Sequence, residues 1–230
     1  IHKRGAGLGP AVAFLYSGAQ RIEAEAFLAN FPFRPDAPKL GVTLINWQAQ
    51  NQRFFRQNAY ETAVATAIRT FIHETNGQAI LFAQVRGPSQ AEDDRIPARR
   101  VYAMLAGSGN QVFLVEEENV TADILKAAYG LMDIFIGTRL HSNIFALTSG
   151  TPSVMLQYQY KTRGVVEMLG LEAWIIDINE VTESNLTEKL RNLWQQRQMV
   201  ETEISQSVAE AVKQIEQVGT MIANNYNNLS

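Results

Sequence analysis

Residues 133–161 read "DIFIGTRLHSNIFALTSGTPSVMLQYQYK". Two apolar runs of strand length, "DIFIGT" (133–138) and "PSVMLQY" (152–158), flank a segment with helical spacing, His141–Ser149. Both runs are apolar nearly throughout rather than alternating, the pattern of strands covered on both faces. Gly150 can close the intervening helix, and Pro152 prevents its continuation. The stretch therefore reads as strand, helix, strand. Cations follow each strand: Arg139 and His141 the first, Lys161 the second.

The same alternation extends outward in both directions. "LGVTLINW" (40–47), "AILFAQV" (79–85), "QVFLVEE" (111–117) and "AWIIDI" (173–178) are further strand-length runs. Gln57–Asn76, Ile96–Ala106, Thr121–Met132 and Thr162–Leu169 read as helices between them, with Thr121 a plausible N-cap. Such alternation predicts an α/β fold: a doubly wound parallel sheet, Rossmann-like, with right-handed crossovers. From Thr182 the chain is polar and helical, with Leu186, Leu190, Leu193, Val208, Val212 and Ile215 at helical spacing, so a long C-terminal helix is expected, with room for one break. The expected organisation is a lead-in segment at 1–39, a core at 40–181, and a helical segment at 182–230 belonging to the same domain.

Composition narrows the function classes. The chain has 230 residues, 46% of them apolar, and a formal charge of -3. That balance gives no general attraction to nucleic acid, and the Lys and Arg residues are scattered. An anion site, if present, must be local. With no Cys there is no disulfide, thiolate metal site or cysteine nucleophile, in keeping with a reducing cytosol. No metal site is predicted. The apolar run Ala11–Tyr16 is shorter than a signal-peptide core and reads as a short strand, and no segment approaches transmembrane length, so a soluble protein is expected.

In open parallel sheets, ligands sit outside the carboxyl ends of the strands, where helix N-termini also point. If the strands at 133–138 and 152–158 are neighbours, Arg139, His141 and Lys161 can face one crevice. The helix starting near His141 adds free backbone N–H groups. Its dipole contributes only ~0.3–2 kcal/mol, so the cations must supply most of the attraction. The plain alternative is that Arg139 and Lys161 are solvated loop cations and His141 a capping residue. Gln84, Arg86 and the pair Asp93 and Asp94 read as loop polarity when taken alone, and Glu116–Glu118 as a solvated strand end. His2 and His73 have no partner visible in the sequence. "GAGLG" (5–9) lacks the strand that a phosphate loop follows.

Taken together, Asp133, Arg139-Leu140-His141, Ile144-Phe145-Ala146-Leu147, Gly150-Thr151-Pro152, Tyr158-Gln159-Tyr160-Lys161 and Leu169-Gly170-Leu171 resemble, in order and spacing, the signature region of the polysaccharide pyruvyl transferase family. A weaker likeness runs upstream through "AILFAQVRGPSQAEDD", where the family often has a Gln after a strand and an acidic residue in the next loop. The resemblance implies the C-terminal, donor-binding half of a GT-B fold, with the N-terminal acceptor domain lying outside this chain. It implies an enzyme that uses phosphoenolpyruvate, with no further cofactor, to place a pyruvyl ketal on a sugar of a surface or exported polysaccharide, releasing phosphate. Arg139, Lys161 and Gln84 would then bind substrate and His141 would be catalytic. The acceptor would be a glycan or lipid-linked sugar, and the location cytoplasmic, near the inner face of the membrane. An arginine–aspartate motif usual near the start of this domain has no clear counterpart in "IHKRGAGLGPAVAF".

Two other readings stay open. A nucleotide-sugar glycosyltransferase of the same architecture would need, in addition, a carboxylate for the ribose, and none is evident after the His141 helix. A non-catalytic anion-binding or assembly module would form a homo-oligomer through the terminal helix.

Overall fold

The structure, a computed structural model, describes residues 13–227, and for residues 160–162 and 221–227 the backbone alone. Its elements run α1 (Arg21–Leu28), β1 (Lys39–Thr43), α2 (Trp47–Gln50), α3 (Gln57–Thr75), β2 (Gln78–Phe82), α4 (Arg95–Met104), β3 (Val112–Val115), α5 (Ala122–Tyr129), β4 (Ile134–Gly137), α6 (Leu140–Thr148), β5 (Ser153–Gln157), α7 (Tyr160–Leu169), β6 (Ile175–Asp177) and α8 (Glu183–Asn227). The six strands form one sheet in the order β3-β2-β1-β4-β5-β6, and every pairing is parallel. This is the doubly wound Rossmann order, whose direction reverses between β1 and β4.

Strand residues divide alternately between two cores. Leu40, Val42, Ala79, Leu81, Ile134 and Ile136 join one cluster with α3, α4 and α8. Ile80, Phe82, Phe113 and Phe135 join the other with α1 and α5. Helix α6 contributes Ile144 and Leu147 to the first and Phe145 and Ala146 to the second, so its middle, from Ser142 to Leu147, is buried on both sides. Gly41 is required on β1 because the Phe135 ring of β4 lies 2.4 Å from where a Cβ would stand.

Several local signals work as read. The Thr121 hydroxyl accepts the Ile124 N–H at 3.4 Å, and Gly150 ends α6 with φ +83° before Pro152. Three details differ. Residues 13–15 form a 3-10 turn rather than a strand, with Phe14 buried in the first core. In the lead-in segment, α1 buries Ala24 and Leu28 in the second core. Strand β1 stops at Thr43 although the apolar run continues, because the Ile45 N–H turns to the Tyr60 hydroxyl at 3.3 Å instead of a neighbouring strand. The terminal helix α8 runs unbroken over 45 residues. Among the described residues no helix is long and apolar enough to cross a membrane. The "GAGLG" stretch lies outside the described residues.

Candidate functional site

The carboxyl ends of β1 and β4 are joined by a relay of hydroxyls. Thr138, one residue past β4, donates its hydroxyl to the Thr43 carbonyl at 3.0 Å and its N–H to the Thr43 hydroxyl at 3.3 Å. The Ser142 hydroxyl donates to the Arg139 carbonyl at 2.7 Å. Each hydroxyl has one proton, so Thr43 donates to Ser142 at 2.8 Å and Tyr60 donates to Thr138 at 2.9 Å. All four side chains are buried. The relay leaves no orphaned hydroxyl, and it fixes the chain where β4 turns into α6. Gly137 allows α6 to approach closely, since a Cβ there would meet the Asn143 Oδ1 at 1.8 Å.

On that platform sits Arg139, the N-cap residue of α6. Its Nη2 donates to Asp94 Oδ1 at 2.6 Å and to the Glu92 carbonyl at 3.2 Å, and its Nε donates to Asp94 Oδ1 at 3.1 Å. Asp94 is 0% exposed and the Arg139 side chain 13%. The loop around Asp94 is closed on itself: Val85 N–H donates to Asp94 Oδ2 at 3.0 Å, and Asp94 N–H donates to the Val85 carbonyl at 2.8 Å. Burial pushes the Asp94 carboxyl up to about 6, against the opposing pull of Arg139. Burial also works against the Arg139 charge, but Asp94 more than offsets it and holds the guanidinium above its ordinary range.

Aromatic and amide groups secure the neighbouring loops. Trp47, opening α2, meets Tyr158 with ring centroids 4.7 Å apart, and burial raises the Tyr158 phenol beside Arg139. Gln57 Nε2 donates to buried Glu61 at 2.6 Å, and Arg100 closes the same carboxylate at 2.6 Å and 2.8 Å. These bonds secure the loop after β1. Gln50 Nε2 then donates to the Ala91 carbonyl at 3.0 Å, tying that loop to the one carrying Asp94.

The predicted site residues fall out differently. Arg139 and His141 lie together at the start of α6, and β5 is the neighbour of β4, as a shared crevice requires. His141 is exposed in the first turn of α6, where backbone N–H groups lack intrahelical acceptors. Lys161 stands in the first turn of α7, which begins at Tyr160, two residues before the predicted helix start at Thr162, and its side chain lies outside the described residues. Gln84 follows β2 at the same rim, but its Oε1 accepts the Tyr129 hydroxyl at 3.0 Å and it makes no hydrogen bond to Arg139.

One expectation is corrected, and one edge of Arg139 is already committed, since Asp94 occupies its Nε and Nη2. Among the described residues the hydrogen bonds of Arg139 run from Nε and Nη2 and none from Nη1, and the Tyr158 phenol lies beside the guanidinium. Asp94, read as loop polarity, is instead fully buried and paired with Arg139. Its signal in the sequence is the acidic residue in the loop after Gln84, which the family resemblance marks and composition does not separate from Asp93.

The chain is a Rossmann-like α/β domain whose switch point carries a largely enclosed arginine, a helix N-terminus and an exposed histidine. The sequence model described as polysaccharide pyruvyl transferase matches residues 26–160, more than half of the chain, and includes Asp94, Arg139 and His141 while ending one residue before Lys161. The amylovoran biosynthesis protein AmsJ of Erwinia amylovora is 30% identical over 168 residues, covering 72% of this chain and 39% of AmsJ. The chain belongs to the polysaccharide pyruvyl transferase family. It spans well under half the length of that relative.

Solved structures match the fold alone. A UDP-forming α,α-trehalose-phosphate synthase from Burkholderia xenovorans aligns with TM-score 0.53 and 12% identity, covering 96% of this chain and 51% of that one. The S. aureus MnaA–UDP structure aligns with TM-score 0.53 and 14% identity, covering 82% and 46%. Each neighbour is matched over about half its length, consistent with one half of a GT-B fold.

Proposed function

We propose that this chain is the donor-binding part of a pyruvyl transferase that takes phosphoenolpyruvate and forms a ketal on a sugar of a surface or exported polysaccharide. The observation that carries the reading is Arg139 at the α6 N-cap, held over the β1–β4 switch point with one Nη group uncommitted to a carboxylate. Phosphoenolpyruvate offers a phosphate of about -1.5 to -2 charge and a carboxylate. The Arg139 Nη1 and the first-turn N–H groups of α6 suit one of these anions, and Lys161 at the start of the neighbouring α7 suits the other.

The chemistry asks for a proton and then for a leaving group. A sugar hydroxyl adds to C2 and loses its proton, while the methylene carbon C3 gains one and becomes methyl. The C2–O bond to phosphate then breaks, leaving an oxocarbenium-like centre that a second hydroxyl closes as the ketal. His141, exposed at the helix start and carrying an imidazole that can serve as a general acid, is assigned the proton delivery to C3. The base for the sugar hydroxyl is assigned to the part of the protein outside this chain. On this reading the protein works in the cytoplasm, near the inner face of the membrane, on a glycan or lipid-linked acceptor.

Calorimetry with phosphoenolpyruvate and a panel of nucleoside diphosphates tests the assignment. Phosphoenolpyruvate is expected to bind and the nucleotides not. Arg139→Ala should weaken binding by roughly 10- to 100-fold, the worth of a charge-assisted hydrogen bond. Preference for a nucleoside diphosphate would instead favour a nucleotide-sugar glycosyltransferase.

A further inference from the structure

We propose that Asp94 and the donor's anion compete for the Arg139 guanidinium, so that binding of the donor drives a proton onto Asp94. This rests on the reading that Arg139 holds the donor. One guanidinium carries one positive charge, and Asp94 already takes its Nε edge and Nη2. A phosphate or carboxylate arriving at Nη1 places a second anion against the same cation. Asp94 is 0% exposed and cannot recover its solvation from water. A buried charge that loses part of its compensation is strongly disfavoured, and nearby like charges push a carboxyl toward its neutral form.

The groups around Asp94 leave it as the proton's destination. Arg139 faces it from the start of α6, Asp93 stands beside it in the chain, and the phenols of Tyr60, Tyr129 and Tyr158 approach from α3, α5 and the end of β5. Burial raises all three phenols, so they are already protonated and take up nothing further. Asp93 is held below its usual range by its own hydrogen bond from Arg95. Asp94 alone of these starts close to neutral pH, and added negative charge moves it further up. Neutral Asp94 keeps its place, because the Val85 N–H can still donate to the carboxyl. The guanidinium is then released to the ligand without moving. Asp94 is therefore a positioning residue whose charge sets the affinity, not a group that touches the reacting atoms.

The test is calorimetry of phosphoenolpyruvate binding to the 230-residue chain between about pH 5.5 and 8.5, in buffers of different ionisation enthalpy, for the native chain and Asp94→Asn. The ligand is the same in both experiments and the variant removes one ionisable group, so the difference between the two proteins isolates Asp94. The native chain should take up one more proton per ligand than the variant, with an affinity that falls up to about tenfold more per pH unit on the alkaline side. Near-ultraviolet circular dichroism checks that the variant is folded. A measurement free of any variant accompanies it: in the infrared difference spectrum of the native chain, a protonated-carboxyl band should rise on adding ligand. Equal proton uptake by the native chain and a folded Asp94→Asn, or no carboxyl band, overturns the inference while leaving the donor site standing, provided that Arg139→Ala still weakens binding by roughly 10-fold or more. An affinity unchanged by Arg139→Ala, or no binding by the native chain at any pH, overturns both.

Discussion

Two adjacent aspartates in one loop form two arginine pairs of nearly the same shape and opposite character. Asp93 is met by Arg95 with Nε at 2.9 Å and Nη2 at 2.8 Å, and its Oδ1 also accepts the Arg95 N–H at 3.0 Å. Asp94 is met by Arg139 at 2.6 Å and 3.1 Å. Hydrogen bonding to Arg95 holds the Asp93 carboxyl below the usual range. Burial pushes Asp94 up to about 6 in spite of its arginine. The pairing is shared, so the pairing cannot be what differs. The degree of burial decides the sign: the Asp93 side chain stays 14% exposed, whereas Asp94 is cut off from water altogether.

The sharpest way to break this contrast is to remove the arginine that the buried pair depends on. Arg139→Ala leaves an uncompensated charge in the core and should cost about 3–5 kcal/mol in urea unfolding at neutral pH. Near pH 5, where Asp94 takes up a proton, the loss should shrink. Replacing both partners, Asp94→Leu with Arg139→Met, should return stability to within about 1 kcal/mol of the native chain or above it, since a buried ion pair is often no better than apolar packing. The double variant should nevertheless bind phosphoenolpyruvate roughly 10-fold or more below the native chain. A double variant as unstable as Arg139→Ala would mean that the loop needs the pair itself.

The contrast also marks where the sequence stops being legible. The strands and helices from "LGVTLINW" to "AWIIDI" are readable because a continuous apolar run suits a strand buried on both faces and helical spacing suits a helix with one buried face, and the Gly150 and Pro152 stop signals sharpen the boundaries. Arg139 and His141 are legible from their place after a strand. Asp94 is not, since "EDD" gives adjacent carboxylates the same local chemistry, and only the loop's path turns one inward. The hydroxyl relay of Tyr60, Thr138, Thr43 and Ser142 is invisible for the same reason: it joins residues up to 99 positions apart. The strand endings are misread by a few residues where an apolar run outlasts its ladder, as at Leu44 and Ile45, which are buried outside the sheet.

A second, smaller effect separates the two carboxyls without a ligand. A carboxyl raised by folding binds its proton more tightly in the folded state, so stability falls as pH rises through the window between its unfolded and folded values. For Asp94 that window runs from about 4 to about 6. The native chain should therefore lose on the order of 3 kcal/mol between those limits, at about 1.4 kcal/mol per tenfold change. Asp93 and Glu74 are lowered, so their contributions are complete above the ordinary carboxylate range and do not overlap this loss. Urea midpoints measured across the interval check it, and Asp94→Asn should flatten the curve there.

The smallest effect belongs to the outer pair, and its sign is the reverse. A lowered carboxyl stabilises the fold above its unfolded value and loses that contribution as pH falls through its folded one. Asp93→Asn should therefore leave the interval between about pH 4 and 6 unchanged and flatten only the more acid limb. Its cost at neutral pH should be well below that of either change to the buried pair, because Arg95 remains solvated when its partner is gone. Asparagine still offers an oxygen to the Arg95 N–H, so the start of α4 is kept. Anion binding and its linked proton should be untouched. Were Asp93→Asn to alter the 4–6 interval as strongly as Asp94→Asn, the two carboxyls would be titrating as one unit and the contrast drawn between them would fail.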